Sequence, residues 1–190
     1  MNIILGSSSP SRKAVLESMG FEFTIISPDI DERAIRRDDP RELVTAIAQA
    51  KMDAVLKMVQ GDAIVITSDQ VMVVDGQVRE KPATKEEAYA FIGTFVEKPQ
   101  IATSATVVCS TANGKRVCEV VEVTVTFDPI PQENIREFVE TEQALKYAGG
   151  LAAEHPLFTP YVHVDGEWEA LMGLPKAKTL EMIQKIKHYG

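Results

Sequence analysis

Two spacings of apolar residues alternate along the chain: short runs with period two or none, which suit strands, and stripes three and four apart, which suit helices. Asn2 to Leu5 is a short apolar strand, and the Ser9-Pro10 pair behind it supplies an N-cap and a first helical residue. The helix so opened runs to Met19, buries Val15, Leu16 and Met19, and stops at Gly20. Phe21 to Ile26 reads as a second strand, followed by an acidic loop, Pro28-Asp29-Ile30-Asp31-Glu32-Arg33. Asp39, Pro40 and Glu42 then combine cap, proline and acidic third position. Their helix carries Val44, Ile47, Ala48, Val55 and Met58 on one stripe and ends at Gly61. Ala63 to Thr67 is a buried strand with Ser68-Asp69-Gln70 at its carboxyl end. Val71 to Val74 and Val78 flank Asp75-Gly76, a hairpin signal.

Thr84 and Glu87 form a capping box for a helix reaching about Ile92. Asn113-Gly114 predicts a two-residue turn between strands at Ile101 to Ser110 and Arg116 to Phe127. That turn sets Cys109 opposite Cys118 in a non-hydrogen-bonded pair. A helix over Gln132 to Glu140, a short hairpin through Asp165-Gly166 and a last helix over Lys176 to Lys187 complete the pattern. Strands and helices alternate first and hairpins accumulate later, so the expected fold is α/β with a mixed sheet. No repeat, low-complexity tract or linker divides residues 1–190, which read as one domain, long enough for two lobes around a cleft.

Charge narrows the partners. A net formal charge of −8 argues against polymeric nucleic acid, which needs a broad basic face. It leaves room for a single nucleotide, which needs only a few converging cations and a divalent metal. No apolar run approaches bilayer length and the N-terminus lacks a basic signal-peptide region, so a cytoplasmic location away from membranes is expected. Two cysteines are too few for a disulfide scaffold, and reduced thiols fit that compartment.

The strand–serine-rich loop–helix at Gly6 to Arg12 is the first place for chemistry. A helix N-terminus offers unpaired N–H groups to an anion, and Ser7, Ser8 and Ser9 add hydroxyl donors. Arg12 in the first turn opposes the helix dipole unless an anion binds there; the alternative is a serine-rich cap beside a solvated arginine. The loop lacks the glycines and the Gly-Lys-Ser/Thr ending of a P-loop. Lys51 lies four residues from both Ile47 and Val55, inside an apolar stripe, where it must snorkel out or meet a partner such as a phosphate.

Asp69 and Glu32 offer hard oxygen ligands from separate segments, which suits magnesium with its retained waters and substrate phosphates. A metal there would help an ionised Asp69 or Glu32 activate water; the alternatives are a turn cap and a solvated acid. Lys81, between Glu80 and Pro82, is a second phosphate contact or a loop lysine. His155, His163 and His188 lack metal-ligand spacing, and no Gly-x-Ser-x-Gly or Cys–His pattern marks a covalent nucleophile. Trp168 reads as packing.

The string Leu5-Gly6-Ser7-Ser8-Ser9-Pro10-Ser11-Arg12 resembles the Leu-Ala-Ser-x-Ser-Pro-x-Arg signature of the Maf (septum-formation) nucleotide pyrophosphatases. The same order continues through Asp29-Ile30-Asp31-Glu32, Ala50-Lys51, Ser68-Asp69-Gln70-Val71, Glu80-Lys81-Pro82, Ala148-Gly149-Gly150 and Gly173-Leu174-Pro175. The resemblance implies a two-lobed α/β fold of the inosine triphosphate pyrophosphatase-like kind, an elongated twisted mixed sheet with flanking helices and a site in the cleft. It implies hydrolysis between the α and β phosphates with magnesium or manganese, and it suggests a homodimer. Asp69 matches the family's proton acceptor, Glu32 its metal-associated carboxylate, and Ser7, Arg12, Lys51 and Lys81 its phosphate contacts.

Three positions tune substrate choice in that family. The branch acting on dTTP and UTP has Arg, Thr and Gln at the positions of Ser11, Gln70 and Glu154; the branch acting on 7-methyl-GTP has Trp, Gln and Glu. This chain matches the second branch at Gln70 and Glu154 and neither at Ser11. A carboxylate at Glu154 can accept from guanine N1–H and N2–H₂ or balance a methylated ring. The expectation is therefore a purine or modified nucleotide, with a dTTP/UTP enzyme or a non-catalytic nucleotide sensor of cell division as alternatives. The family's Ser-Gly-x-x-His segment is replaced by Val96-Glu97-Lys98-Pro99-Gln100.

Overall fold

The computed structural model describes residues 2–150 and 152–187; His188 lies outside them. In chain order the elements are β1 (Asn2–Leu5), α1 (Pro10–Ser18), β2 (Thr24–Ile25), α2 (Pro40–Leu56), β3 (Ala63–Val74) and β4 (Gln77–Arg79). Then come α3 (Lys85–Ile92), β5 (Gln100–Ser110), β6 (Arg116–Phe127) and α4 (Gln132–Glu140). β7 (Val162–Asp165), α5 (Trp168–Leu171) and α6 (Lys176–Lys187) follow. Seven strands join one mixed sheet in the order β2-β1-β3-β5-β6-β7, with β4 paired to β3. The chain forms two compact units: Met1–Asp69, Ser104–Val121 and Met172–Gly190 make the first, Gln70–Thr103 and Glu122–Leu171 the second.

In the first unit β1 runs parallel to β2 (Ile4↔Thr24) and to β3 (Leu5↔Ile66). Parallel neighbours need long crossovers, and α1 and α2 supply them. Ser9 caps α1, its Oγ accepting from the Arg12 N–H at 3.4 Å. Asp39 caps α2, its Oδ1 accepting from Arg41 and Glu42 at 2.7 and 3.1 Å. Ile3, Leu5, Leu16, Ile64, Ile66, Met182 and Ile183 are buried together, so β1, β3, α1 and α6 share one core. In the second unit the rings of Phe138 and Phe158 pack edge to face at 4.7 Å, and Phe95 stacks on Phe127 at 5.0 Å.

Several expected elements change. The two runs expected on either side of Ser68-Asp69-Gln70 are one twelve-residue strand, β3, so Asp69 lies mid-strand. The polar residues do not interrupt it because each finds a partner across the sheet face: Thr67 Oγ1 donates to Ala48 O, Ser68 Oγ to Gly173 O and Gln70 Nε2 to Leu171 O. The second strand shrinks to Thr24–Ile25. Met58 falls beyond the end of α2 and is 49% exposed. Asp165-Gly166 closes no hairpin; β7 pairs instead with β6 (Thr124↔Asp165), and α5 follows.

The loop at Asn113-Gly114 is longer than two residues. The Ser110 N–H donates to Lys115 O at 2.9 Å, leaving Thr111 to Gly114 as the loop, with Gly114 at φ 70°. With Ser110 opposite Lys115 the register shifts, and Arg116 rather than Cys118 stands across from Cys109. Both cysteines are free thiols. Asp75-Gly76 does form the expected turn, both residues having positive φ, as a two-residue hairpin requires. In place of Ser-Gly-x-x-His, the fully buried Gln100 starts β5 and its Nε2 donates to Lys98 O at 2.8 Å.

Gly6 is closely packed between β3 and α2. Its N–H donates to Ile66 O at 2.7 Å. An added Cβ would stand 2.6 Å from Thr67 Cγ2 and 2.9 Å from Val55 Cγ2. Gly6→Ala is therefore expected to lower stability by about 1–3 kcal/mol, read as a lower urea midpoint with unchanged m.

Candidate active site

Successive residues of a strand face opposite sides, and β3 uses both. Thr67 and Asp69 turn towards α2, where Thr67 meets Ala48 and Asp69 meets Lys51. Ser68 and Gln70 turn the other way, towards Gly173 and Leu171. Pairing with β1 ends at Ile66 and pairing with β4 starts at Met72, so these four residues lie between the two partners.

Lys51 is buried with Val44, Ile47, Ala48, Met52 and Val55 on α2, at 7% exposure. It does not snorkel. Its Nζ lies 2.7 Å from Asp69 Oδ1 and 3.0 Å from Glu32 Oε1. Asp69 is itself buried, whereas Glu32 is half-exposed on a one-turn 3₁₀ helix, Glu32–Ala34. Asp31 closes that turn, its Oδ1 accepting from the Arg33 N–H at 3.1 Å.

Arg12 joins the same cluster. Its Nε donates to Gly173 O at 3.1 Å, and its Nη1 donates to Ser68 O at 3.0 Å and Ser7 Oγ at 3.4 Å. Ser7 is buried, and its Oγ also accepts from the Ser9 N–H at 3.2 Å. The solvated-arginine alternative is thereby removed. Ser11, on the first turn of α1, is half-buried.

Burial pushes the Asp69 carboxyl above its ordinary range, against the opposing pull of Lys51 and then Arg12. Burial likewise lowers the Arg12 guanidinium, and the charges of Asp69 and Glu32 oppose that. Two cations and two carboxylates thus balance in a small, largely dry space. Such a cluster can hold an anion on its cationic members and take a proton on Asp69.

Glu32 and Asp69 also provide two hard oxygen donors. Among the described residues no three acidic, histidine or cysteine side chains gather as a metal cage. The donor set fits magnesium or manganese, which take one or two carboxylates and complete their shell with water and phosphate.

The remaining candidates belong to the second unit. Gln70 directs Nε2 to Leu171 O at 3.0 Å, while its buried Oε1 has no partner among the described residues. Lys81 is exposed, and no described residue pairs with its ammonium. Beside it, Glu80 O accepts from the Gly149 N–H at 2.9 Å, at a glycine whose φ is 66°. Glu154 is half-buried, and after burial itself its charge is what raises the Tyr147 phenol.

Sequence reasoning did not find the work of Thr67, Ser68 and the Gly173 carbonyl. Gly173 did appear in the Gly173-Leu174-Pro175 motif, and its φ of 88° is the reason for glycine there. A backbone carbonyl has no side-chain signature, so only the fold reveals it as an acceptor.

A mixed α/β sheet carrying a buried lysine between two carboxylates, beside a serine-rich helix start, defines the class of protein at hand. A family model described as Maf-like protein matches residues 2–186, and the chain belongs to that family. It is 38% identical to a 7-methyl-GTP pyrophosphatase of Dictyostelium discoideum, over 97% of this chain and 96% of the relative. It is 33% identical to a 7-methyl-GTP pyrophosphatase of Idiomarina loihiensis, over 96% and 93%. It is 32% identical to a dTTP/UTP pyrophosphatase of Symbiobacterium thermophilum, over 97% and 93%. A solved nucleoside-triphosphatase (dITP/XTP pyrophosphatase) from Mycobacterium abscessus aligns with 69% of this chain and 75% of its own, at TM-score 0.38 and 17% identity. The fold rests on the strand order above, not on that likeness.

Lys51→Met keeps the packing of α2 and strands Asp69. Since Lys51 lowers the Asp69 pKa, its loss moves that pKa further up, visible in the carboxyl ¹³C titration. A carboxyl that binds its proton more tightly folded than unfolded favours the fold at low pH and opposes it as pH rises through the window above about 3.8. The variant is therefore expected to lose more stability at pH 8 than at pH 5, by up to about 3–5 kcal/mol at the higher pH.

Proposed function

We infer that this chain is a nucleoside triphosphate pyrophosphatase, splitting the α–β anhydride of a nucleotide into a nucleoside monophosphate and pyrophosphate. The observation that carries the reading is the buried Lys51 ammonium held between Asp69 and Glu32, with Arg12 in the same cluster. The pyrophosphatase names of the relatives support it.

Arg12, Lys51 and the Ser7–Ser9 start of α1 grip the polyphosphate; Lys81, in the second unit, matches a further phosphate-contacting position of the family. The arriving anion draws Lys51 partly away from Asp69, leaving a carboxylate of raised basicity beside the reacting phosphorus. Water attacks, its proton passes to Asp69, and the P–O bond to the departing pyrophosphate breaks. Glu32 and Asp69 would hold a divalent ion, magnesium or manganese, which would polarise the phosphoryl oxygens when bound.

On substrate choice we favour 7-methyl-GTP or another purine nucleotide. Glu154 can accept from the guanine N1–H and N2–H₂ edge, and Gln70 Oε1 is an unspent acceptor. The small Ser11 leaves room where a bulky residue would restrict the base. We place the enzyme in the cytoplasm, whose reducing conditions suit the free thiols of Cys109 and Cys118, and expect a homodimer.

Asp69→Asn is expected to cut kcat by about 10²–10⁴-fold in a protein that still folds. Activity near the native level would remove Asp69 as the proton acceptor. In the native enzyme the rate should fall as pH drops through the Asp69 pKa, at a pH above the usual carboxylate titration, because the acceptor must be ionised. Turnover of 7-methyl-GTP, UTP, dTTP and CTP, followed by released pyrophosphate, decides the base. Turnover of pyrimidines alone would reverse the purine assignment, and tight calorimetric binding without hydrolysis at saturating manganese would make the protein a sensor.

A further inference from the structure

Arg12 spends its donors unevenly. A guanidinium carries five N–H groups in one rigid plane. The Nε–H goes to Gly173 O, and the two Nη1–H groups go to Ser68 O and Ser7 Oγ. Nη2, with the remaining two, makes no hydrogen bond to a described residue. The inner edge of the guanidinium is thus clamped and the outer edge is left for a ligand.

The clamp is two backbone carbonyls, and Ser68 governs both. One is its own. The other, Gly173 O, accepts simultaneously from Arg12 Nε at 3.1 Å and from Ser68 Oγ at 2.7 Å, which uses both of its lone pairs. A closed ring results, running from the Ser68 hydroxyl through Gly173 O and the guanidinium edge back to the Ser68 carbonyl. Ser68 is 0% exposed, so water cannot replace its hydroxyl. Gly173 sits at φ 88° on a turn between α5 and α6, and without the hydroxyl its carbonyl direction depends on Arg12 alone.

We propose that Ser68 is a positioning residue for the reaction: its hydroxyl fixes the spacing of the two carbonyls that aim Arg12, so that Nη2 faces the polyphosphate. The proposal rests on the reading of Arg12 as a phosphate contact. It makes Ser68 the link between that contact and Asp69, its neighbour in β3. A merely structural serine would instead supply one satisfied hydrogen bond with no bearing on Arg12.

A double-mutant cycle on the full-length protein separates these. Ser68→Ala should raise KM for the triphosphate by about tenfold, the worth of one well-aligned hydrogen bond, with kcat changed about twofold or less. In an Arg12→Ala background the same substitution should leave KM unchanged, since there is no guanidinium left to aim. In the ¹⁵N spectrum the Arg12 Nε–H of Ser68→Ala should exchange with solvent faster than in the native protein. An unchanged KM in Ser68→Ala, or an equal rise in both backgrounds, overturns the proposal while leaving the pyrophosphatase reading intact. An Arg12→Ala variant with native KM overturns it together with the phosphate role of Arg12. If Ser68→Ala fails to fold, Ser68→Cys keeps the side-chain shape with a weaker donor; a KM raised at least about threefold supports the proposal and a native KM overturns it.

Discussion

An ammonium group inside an apolar helix stripe sets the terms for the first unit. Removing a lysine charge from water costs several kcal/mol, and only close anions and complete hydrogen bonding repay it. Lys51 therefore obliges α2 to lie where Asp69 comes within 2.7 Å, and obliges the turn at Glu32 to close over the same atom. A methionine in its place would leave Asp69 buried without its nearest cation, so the lysine and the carboxylate are kept or lost together. In the mechanism proposed above, this ammonium trades a carboxylate for a phosphate and so frees the carboxylate at that moment.

The same balance governs Asp69. Burial raises its proton affinity, and two cations hold that rise in check. A carboxylate in open water is too weak a base to take a proton from water effectively, while one buried without cations would stay protonated. Placement between Lys51 and Arg12 opposes that rise while leaving the carboxyl above its ordinary range. The chain carries a net charge of −8, so in the proposed mechanism the attraction for a polyanion comes from this local grouping, not from the surface as a whole.

Alternation along β3 allots the work. Its odd-numbered residues 67 and 69 meet α2, and its even-numbered residues 68 and 70 meet Gly173 and Leu171. Four consecutive side chains thus reach one helix on one face and a turn on the other. A run of polar residues in a buried strand is costly unless each is bonded, and here the bonding is what locks the flanking segments to the sheet. Of these four residues Gln70 keeps a buried acceptor, Oε1, without a partner among the described residues.

By itself the sequence determined the elements whose signals are local. Proline and carboxylate caps placed the start of α2, a Thr-Glu box that of α3, and paired positive-φ residues the turn at Asp75-Gly76. The motifs also named Lys51, Asp69, Glu32 and Arg12 as candidates, because a charge on an apolar stripe or a cation at a helix start breaks a local rule. What the tertiary structure alone decided is whom those residues meet. Lys51 could have snorkelled, Ser68-Asp69-Gln70 could have ended a strand, and Arg12 could have faced solvent. Each outcome depended on partners far away in the chain, three of them backbone carbonyls that leave no trace in residue identity. The register at Ser110–Lys115 was decided in the same way, by hydrogen bonds across a loop that a two-residue turn rule does not describe.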